Sequence, residues 1–192
     1  MNYLAHFYLS GDSEDLIIGN FIADTVKGSQ LNNYSEEIKK GIALHRSIDS
    51  YTDTHPTVRK SKERLRKNYR KYANVIVDIF YDHFLARNWA NYSNTPLLQY
   101  SESIYKTLDS KQHLFPHKSK LFYSYMTKNN ILNAYAEIGG IDKVLYGMSR
   151  RATFISNMEK ATNDLELYYE LFEEEFRIFF PDLKNHVSSI SI

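Results

Sequence analysis

The chain has no cysteine among its 192 residues, which excludes disulfides, thiolate metal sites and a cysteine nucleophile. Its opening, MNYLAHFYLSGDSED, lacks the basic-then-apolar layout of a signal peptide, so a reducing, cytoplasmic location is expected. No apolar run approaches the ~20 residues needed to cross a bilayer, and no membrane span is expected. Glycine and proline are scarce, at seven and four, and strand-like alternation bounded by hairpin turns is missing. Also missing are a Gly-rich phosphate loop, a nucleophile elbow, a dinucleotide fingerprint and the HExxH spacing of zinc proteases. Covalent serine catalysis therefore has no support.

What is present is a sequence of ordinary globular composition, with 43% hydrophobic and 24% charged residues, which rules out wholesale disorder. A chain of this length buries roughly 70% of its unfolded surface, enough for one domain with its own core. Helical periodicity runs through about 14–27, 35–53, 57–72, 74–91, 96–109, 118–128, 130–138, 141–149 and 151–179. Breaks are expected near Gly28, Pro56, Pro96, Pro116 and Gly139–Gly140, and Pro181 is expected to end the last helix. The fold class predicted is a single all-α domain over 1–192, a helical bundle with a metal site between its helices.

The net charge of +1 conceals an uneven distribution. RKSKERLRKNYRKY (59–72) holds eight basic residues and one acid, while the stretch from Glu159 to Glu175 is acidic. The basic run is either a solvated helix face or a landing strip for an acidic partner. It lacks the Gly and aromatic pattern of an RNA-binding sheet, so nucleic acid is not expected.

Three segments carry ionisable residues that packing does not explain. In GIALHRSIDSYTDTHP (41–56), His45, Asp49 and Asp53 fall at i, i+4 and i+8, on the stripe that also holds Ile38 and Ile42. An inward stripe with unpaired carboxylates needs something cationic against it. In NVIVDIFYDHFLARNW (74–89), a helix apolar on nearly all sides nevertheless contains Asp78, Asp82 and His83. The third segment pairs His6, in an apolar N-terminal run, with Asp24 in GNFIADTVKG (19–28). Each residue alone reads as a satisfied core group, and Arg46 and Arg87 are the nearby cations for internal pairing. Together, His and Asp at three separated places are how a helical bundle assembles a metal site, and an N/O donor set favours Mn²⁺, Fe²⁺, Zn²⁺ or Mg²⁺ over thiophilic metals. The chemistry such a site supports is hydrolysis of a phosphate ester, with Lys27, Arg46 and the basic run available to neutralise the phosphate.

Six blocks in order carry a resemblance: MNYLAH (1–6), GNFIADTVKG (19–28), GIALHRSIDSYTD (41–53), HPTVR (55–59), DIFYDHFLARNW (78–89) and GMSRR (147–151). They resemble the acyl carrier protein phosphodiesterases, over the chain from its first residue to about 155. The resemblance implies a cytoplasmic all-helical enzyme distantly related to HD-type metal phosphohydrolases and dependent on a divalent cation such as Mn²⁺. The reaction it implies is hydrolysis of the phosphodiester joining 4′-phosphopantetheine to a serine of holo acyl carrier protein. It also implies an acidic carrier as the partner of the run at 59–72. The matching positions are His6, Asn20, Asp24, His45, Arg46, Asp49, Asp53, Asp78, Asp82 and His83.

Two features depart from the pattern. Many relatives have a second His where this chain has Tyr8, and the HD order is reversed here to Asp82 then His83. From the stripe and the blocks together, Asp24, His45, Asp49 and Asp82 are the expected metal ligands. His6 and His83 are expected as an extra ligand or the general acid, Asp78 as the residue orienting a ligating His, and Arg46 as the phosphate clamp. The alternatives are a phosphohydrolase of the same architecture acting on a nucleotide or small phosphate ester, and a non-catalytic adaptor that binds an acidic partner.

Overall fold

Each of the early helices begins where the sequence supplies an acceptor for its free N–H groups. Asn2 accepts from Tyr3 N at the start of α1 (Tyr3–Leu9). Ser13 accepts from Leu16 N ahead of α2 (Glu14–Ile22), with Glu14 and Asp15 in its first turn, and Ser35 accepts from Ile38 N ahead of α3 (Glu36–Thr54). Pro56 opens α4 (Pro56–Tyr69), in the first turn, where its missing N–H has no intrahelical partner to lose. The structure, a computed structural model, describes residues 1–190. The remaining helices are α5 (Ala73–Arg87), α6 (Leu97–Ser110), α7 (His117–Lys128), α8 (Ile131–Ala134), α9 (Ile138–Ser149), α10 (Ala161–Leu167) and α11 (Tyr169–Ser189). No strand occurs among the described residues, so the chain is all-α as expected.

Helix α5 is the axis of the bundle. Its apolar residues point in every direction and are buried, from Ile76 and Val77 to Leu85 and Ala86, and it packs on α1, α4, α9 and α11. The aromatic side chains of α11 complete this core: Phe172 meets Phe80 edge-on at 5.2 Å, and Phe176 stacks with Phe84 at 6.0 Å. Among the described residues no helix is long and apolar enough to cross a membrane.

Helices α2 and α3 bring their backbones into direct contact. A Cβ built on Gly19 would lie 2.1 Å from Ile38 O, and one on Gly41 would lie 2.5 Å from Leu16 O. Only glycine fits at either position. The crossing brings the residue after Gly19 and the residue one turn beyond Gly41 within side-chain reach, and these are Asn20 and His45.

Three expected boundaries are corrected. The long helix over 151–179 is interrupted: residues 151–157 are irregular, a short 3₁₀ turn follows at Met158–Lys160, and α10 and α11 meet at Tyr168. Serine side chains compete with the backbone there, because Ser156 Oγ accepts from Met158 N and donates to Ser149 Oγ, and Asn157 adopts φ +55°. Pro181 does not end the last helix. It sits on the exposed side, where water can solvate the carbonyl it leaves free, while the buried stripe Phe179, Phe180 and Leu183 carries α11 on to Ser189. Gly139 and Gly140 fall inside the first turn of α9 and do not mark a break.

Candidate functional site

Four elements converge on one spot. His6 comes from the middle of α1, Asn20 from α2, Asp24 from the 3₁₀ turn Ala23–Thr25 that follows it, and His45 and Asp49 from successive turns of α3. Asp49 spans the two imidazoles, with Oδ1 at 3.2 Å from His6 Nε2 and Oδ2 at 3.1 Å from His45 Nε2. Asp24 Oδ1 stands 3.3 Å from the same His45 nitrogen. The two rings are stacked at 4.2 Å, and both are buried, whereas Asp49 is 42% exposed and Asp24 67%. The carboxylates thus form the solvent side of a buried histidine pair.

The hydrogen bonds fix the His45 tautomer. Asn20 Nδ2 donates to His6 O and to Ser10 Oγ, both at 3.0 Å, and Ser10 Oγ donates in turn to His6 O at 2.9 Å. The Asn20 amide oxygen therefore faces His45 Nδ1, at 2.9 Å, so Nδ1 carries the hydrogen. His45 Nε2 is left pointing at two carboxylates and makes no properly aligned hydrogen bond, and His6 Nδ1 is likewise buried without a partner. A lone pair facing two carboxylates needs a cation between them, either a proton on the ring or a metal ion.

The charges say the same. Burial alone would push the His45 imidazolium down, but the negative charge of Asp24 and Asp49 beside Nε2 outweighs it and holds the group at about 9. Burial works against the Asp49 carboxylate too, yet His45 and His6 hold it well below its ordinary value, and the contact with His45 lowers Asp24. His6 itself is pushed down by burial. One ligand atom from each of His6, His45 and Asp49 lies within 4.8 Å of the others, the spread a single ion spans, and Asp24 flanks them. These residues fit a divalent metal: two imidazoles, at least one carboxylate and a second-layer amide that orients a ring.

Other expected site residues are outside the cluster itself. Asp82 is fully buried and spends both oxygens on the start of α1, accepting from Asn2 N at 3.2 Å and Leu4 N at 2.7 Å. It caps the N-terminus of α1 and is not with the His6–His45 cluster. Burial pushes it up to about 7, against the N-terminal ammonium and the backbone N–H groups of Leu4, Asn2 and Ala5. Asp78 accepts from the Met1 ammonium at 3.1 Å and orients no histidine. His83 faces the other way, with Nδ1 2.7 Å from Tyr135 O and Nε2 3.0 Å from Tyr169 Oη, in a cleft with Arg87, Glu137 and Glu173. It is not placed as a general acid for the cluster. Arg46 donates to Val26 O at 3.3 Å, and neither it nor Lys27 lines the cleft at the cluster. Tyr8 donates to Tyr92 O.

The cluster forms the polar end of a cleft of about 590 Å³. Asp53 and Asp78 extend the polar end, and Tyr3, Phe122, Tyr125, Ile131, Val144 and Met148 make an apolar wall. Arg151 is the one guanidinium lining it among the described residues, stacked over Tyr125 at 4.7 Å. Sequence reasoning assigned no role to Arg151 or to Asn20. Both fall inside quoted blocks, but their partners are 26 and 25 residues away along the chain, beyond any local periodicity. The basic run is partly consumed internally. Lys62 pairs with Asp53 at 2.6 Å, and Arg64 grips Glu175 through two bonds of 2.8 and 2.7 Å, while Arg59, Lys60, Arg66, Lys67, Arg70 and Lys71 remain exposed.

A family model described as acyl carrier protein phosphodiesterase matches residues 1–183. An acyl carrier protein phosphodiesterase of Photorhabdus laumondii is 33% identical over 187 residues, covering 94% of this chain and 92% of that protein. One from Yersinia enterocolitica is 31% identical over the whole of both chains, and one from Yersinia pestis is 33% identical over 95% of each. No solved structure matches.

Proposed function

The chain belongs to the acyl carrier protein phosphodiesterase family, and from that premise we propose that it hydrolyses the phosphodiester joining 4′-phosphopantetheine to a serine of holo acyl carrier protein, releasing the apo carrier. The observation that carries the proposal is the buried His6–His45 pair bridged by Asp49, with the Nε2 of His45 aimed at two carboxylates. His6, Asp24, His45 and Asp49 would hold a divalent metal, Mn²⁺ foremost, with Mg²⁺, Fe²⁺ or Zn²⁺ as other occupants of the same donor set. Such an ion supplies polarisation of a phosphoryl oxygen and a bound water acidic enough to act as hydroxide near neutrality.

The protein's own groups divide the remaining work. Asn20 keeps the His45 hydrogen on Nδ1, so that Nε2 stays available toward the carboxylates. Asp82, by anchoring α1, fixes the position of His6 one turn further on. Arg151 replaces Arg46 as the residue that grips the phosphate, because it lines the cleft and Arg46 does not. The apolar wall suits an uncharged pantetheine arm leading away from the phosphate, and burial of that arm excludes water from the polar end. The exposed cations of 59–72 attract the acidic carrier.

The test is the intact mass of holo acyl carrier protein incubated with the protein and Mn²⁺, with and without chelator. Metal-dependent loss of the phosphopantetheine mass is expected. An unchanged carrier mass in the presence of metal would refute the proposal.

A further inference from the structure

We propose that the loop after α9 is a docking knob for an acidic protein partner, with Phe154 and Ile155 as its apolar anchor and Arg70, Lys71 and Arg150 as its charged rim. The inference rests on the carrier protein being the substrate, and it names the surface that receives it.

Ile155 is 91% exposed and Phe154 64%, two adjacent large apolar side chains in an irregular segment. An exposed apolar pair framed by cations is unlike the single scattered leucines of an ordinary surface. The segment is held in place. Tyr72 Oη accepts from Phe154 N at 3.3 Å and donates to Phe154 O at 3.4 Å, and Lys71 Nζ lies 4.2 Å above the Phe154 ring. Ser156 bonds Ser149 and Met158 N at the far end. The two apolar side chains are thus presented outward on an ordered backbone, and little conformational freedom is lost when a partner covers them.

Position supplies the link to catalysis. Tyr72, which clamps the loop, and Arg151 and Ala152, which begin it, all line the same cleft as His6 and Asp49. A partner seated on Phe154 and Ile155 covers the mouth through which a phosphopantetheine arm enters. Charge selects the partner: Arg70, Lys71 and Arg150 are exposed, no carboxylate among the described residues pairs with the Lys71 ammonium, and the loop itself carries no acid from Arg150 to Met158. An acidic surface with a small apolar patch is the complement. Of the run at 59–72, the end at Arg70–Tyr72 is the part at the cleft.

The experiment compares the wild type with Ile155→Asp and Lys71→Glu on two substrates, holo acyl carrier protein and bis(4-nitrophenyl) phosphate. For Ile155→Asp the expected result is a KM for the carrier raised about tenfold, the scale of losing one interface anchor, with kcat and the rate on the small diester unchanged. Lys71→Glu should raise the same KM at low salt, with the difference closing as salt screens it. An unchanged carrier KM in Ile155→Asp, with wild-type turnover intact, overturns the docking inference alone. A wild type that cleaves the small diester and leaves the carrier whole overturns both this inference and the substrate reading. Loss of sedimentation with anionic phospholipid vesicles in Ile155→Asp, with carrier KM unchanged, would make the knob a membrane contact and also overturn the proposal.

Discussion

Asn20 Oδ1 lies 2.9 Å from His45 Nδ1, across the point where α2 and α3 touch at Gly19 and Gly41. The amide cannot be reversed, because its nitrogen already donates to His6 O and Ser10 Oγ. One side chain thereby sets the tautomer of one histidine and ties it to the helix that carries the other.

Replacing Asn20 by Ala should therefore weaken metal binding by about 10- to 100-fold, the usual cost of removing a group that orients a ligating imidazole. The fold should persist. Calorimetric titration of the chelator-treated variant with Mn²⁺ measures the change, and an affinity equal to that of the wild type would show that the amide does not orient the ring.

The crossing itself can be probed with Gly41→Ala. The new methyl would meet Leu16 O at 2.5 Å, backbone that cannot move without separating the helices. Overpacking of this kind costs about 1–3 kcal/mol. Urea unfolding should show that loss, and Mn²⁺ affinity should fall with it, since the shift separates Asn20 from His45.

Asp82 and Asp49 should behave differently although both are acids on helices of the bundle. Asp82→Asn places an amide N–H against the N–H groups of Asn2 and Leu4, and an unsatisfied buried group costs about 1–3 kcal/mol. Stability should drop while the folded variant still binds metal. Asp49→Asn should keep most of its stability and lose the metal. Metal content of the two purified variants, set beside their urea midpoints, distinguishes them, and loss of metal from both would restore Asp82 to the ligand set.

The chelator-treated protein should lose stability as pH rises. His45 has a folded value of about 9 against an ordinary 6.5, so its contribution is complete below pH 6.5 and vanishes as pH passes through 9. The Met1 ammonium, opposed by burial but raised by Asp78 and Asp49, adds to the fall above its ordinary 8.0. Thermal melts between pH 6 and 9.5 should slope downward, and His45→Gln should flatten the slope below pH 8. Metal binding should tighten over the same interval, because the ion displaces the proton from His45. A melting temperature of the wild type that is flat across this range would contradict the assigned His45 charge.

The sequence made part of this site legible and concealed the rest for physical reasons. His45 and Asp49 are one turn apart on one helix, so the 3.6-residue period alone put them on a common inward stripe, and the inference that the stripe needs a cation follows from charge burial. Asp53, next on that stripe, lines the cleft but is matched by Lys62. Asn20 was unreadable as a partner because the contact depends on where two helices cross, which Gly19 and Gly41 decide jointly. Asp82 is ambiguous in the sequence because an acid in an all-round apolar helix looks the same whether it meets a metal or the bare N–H groups of another helix. Helix α1, which presents those groups, lies ahead of the periodic pattern that begins near residue 14. His83 follows Asp82 on α5, and the rotation of about 100° between adjacent residues turns it away from Asp82 to Tyr135 and Tyr169, a pairing between distant segments that no local period shows. Pro181 does not end its helix because it lies on the exposed side, where water takes the carbonyl it strands, while Phe179, Phe180 and Leu183 keep the opposite face buried.

The central claim is that His6, His45 and Asp49, flanked by Asp24, form a metal centre on which hydrolysis depends. Its most direct test is to strip the wild type and Asp49→Asn with chelator, add Mn²⁺ back in steps, and record bound metal and release of phosphopantetheine from holo carrier in the same samples. The account predicts that in the wild type both rise together to saturation near one ion per chain, and that in Asp49→Asn both stay near zero. Full hydrolysis by the stripped wild type, or metal binding undiminished in Asp49→Asn, would contradict it.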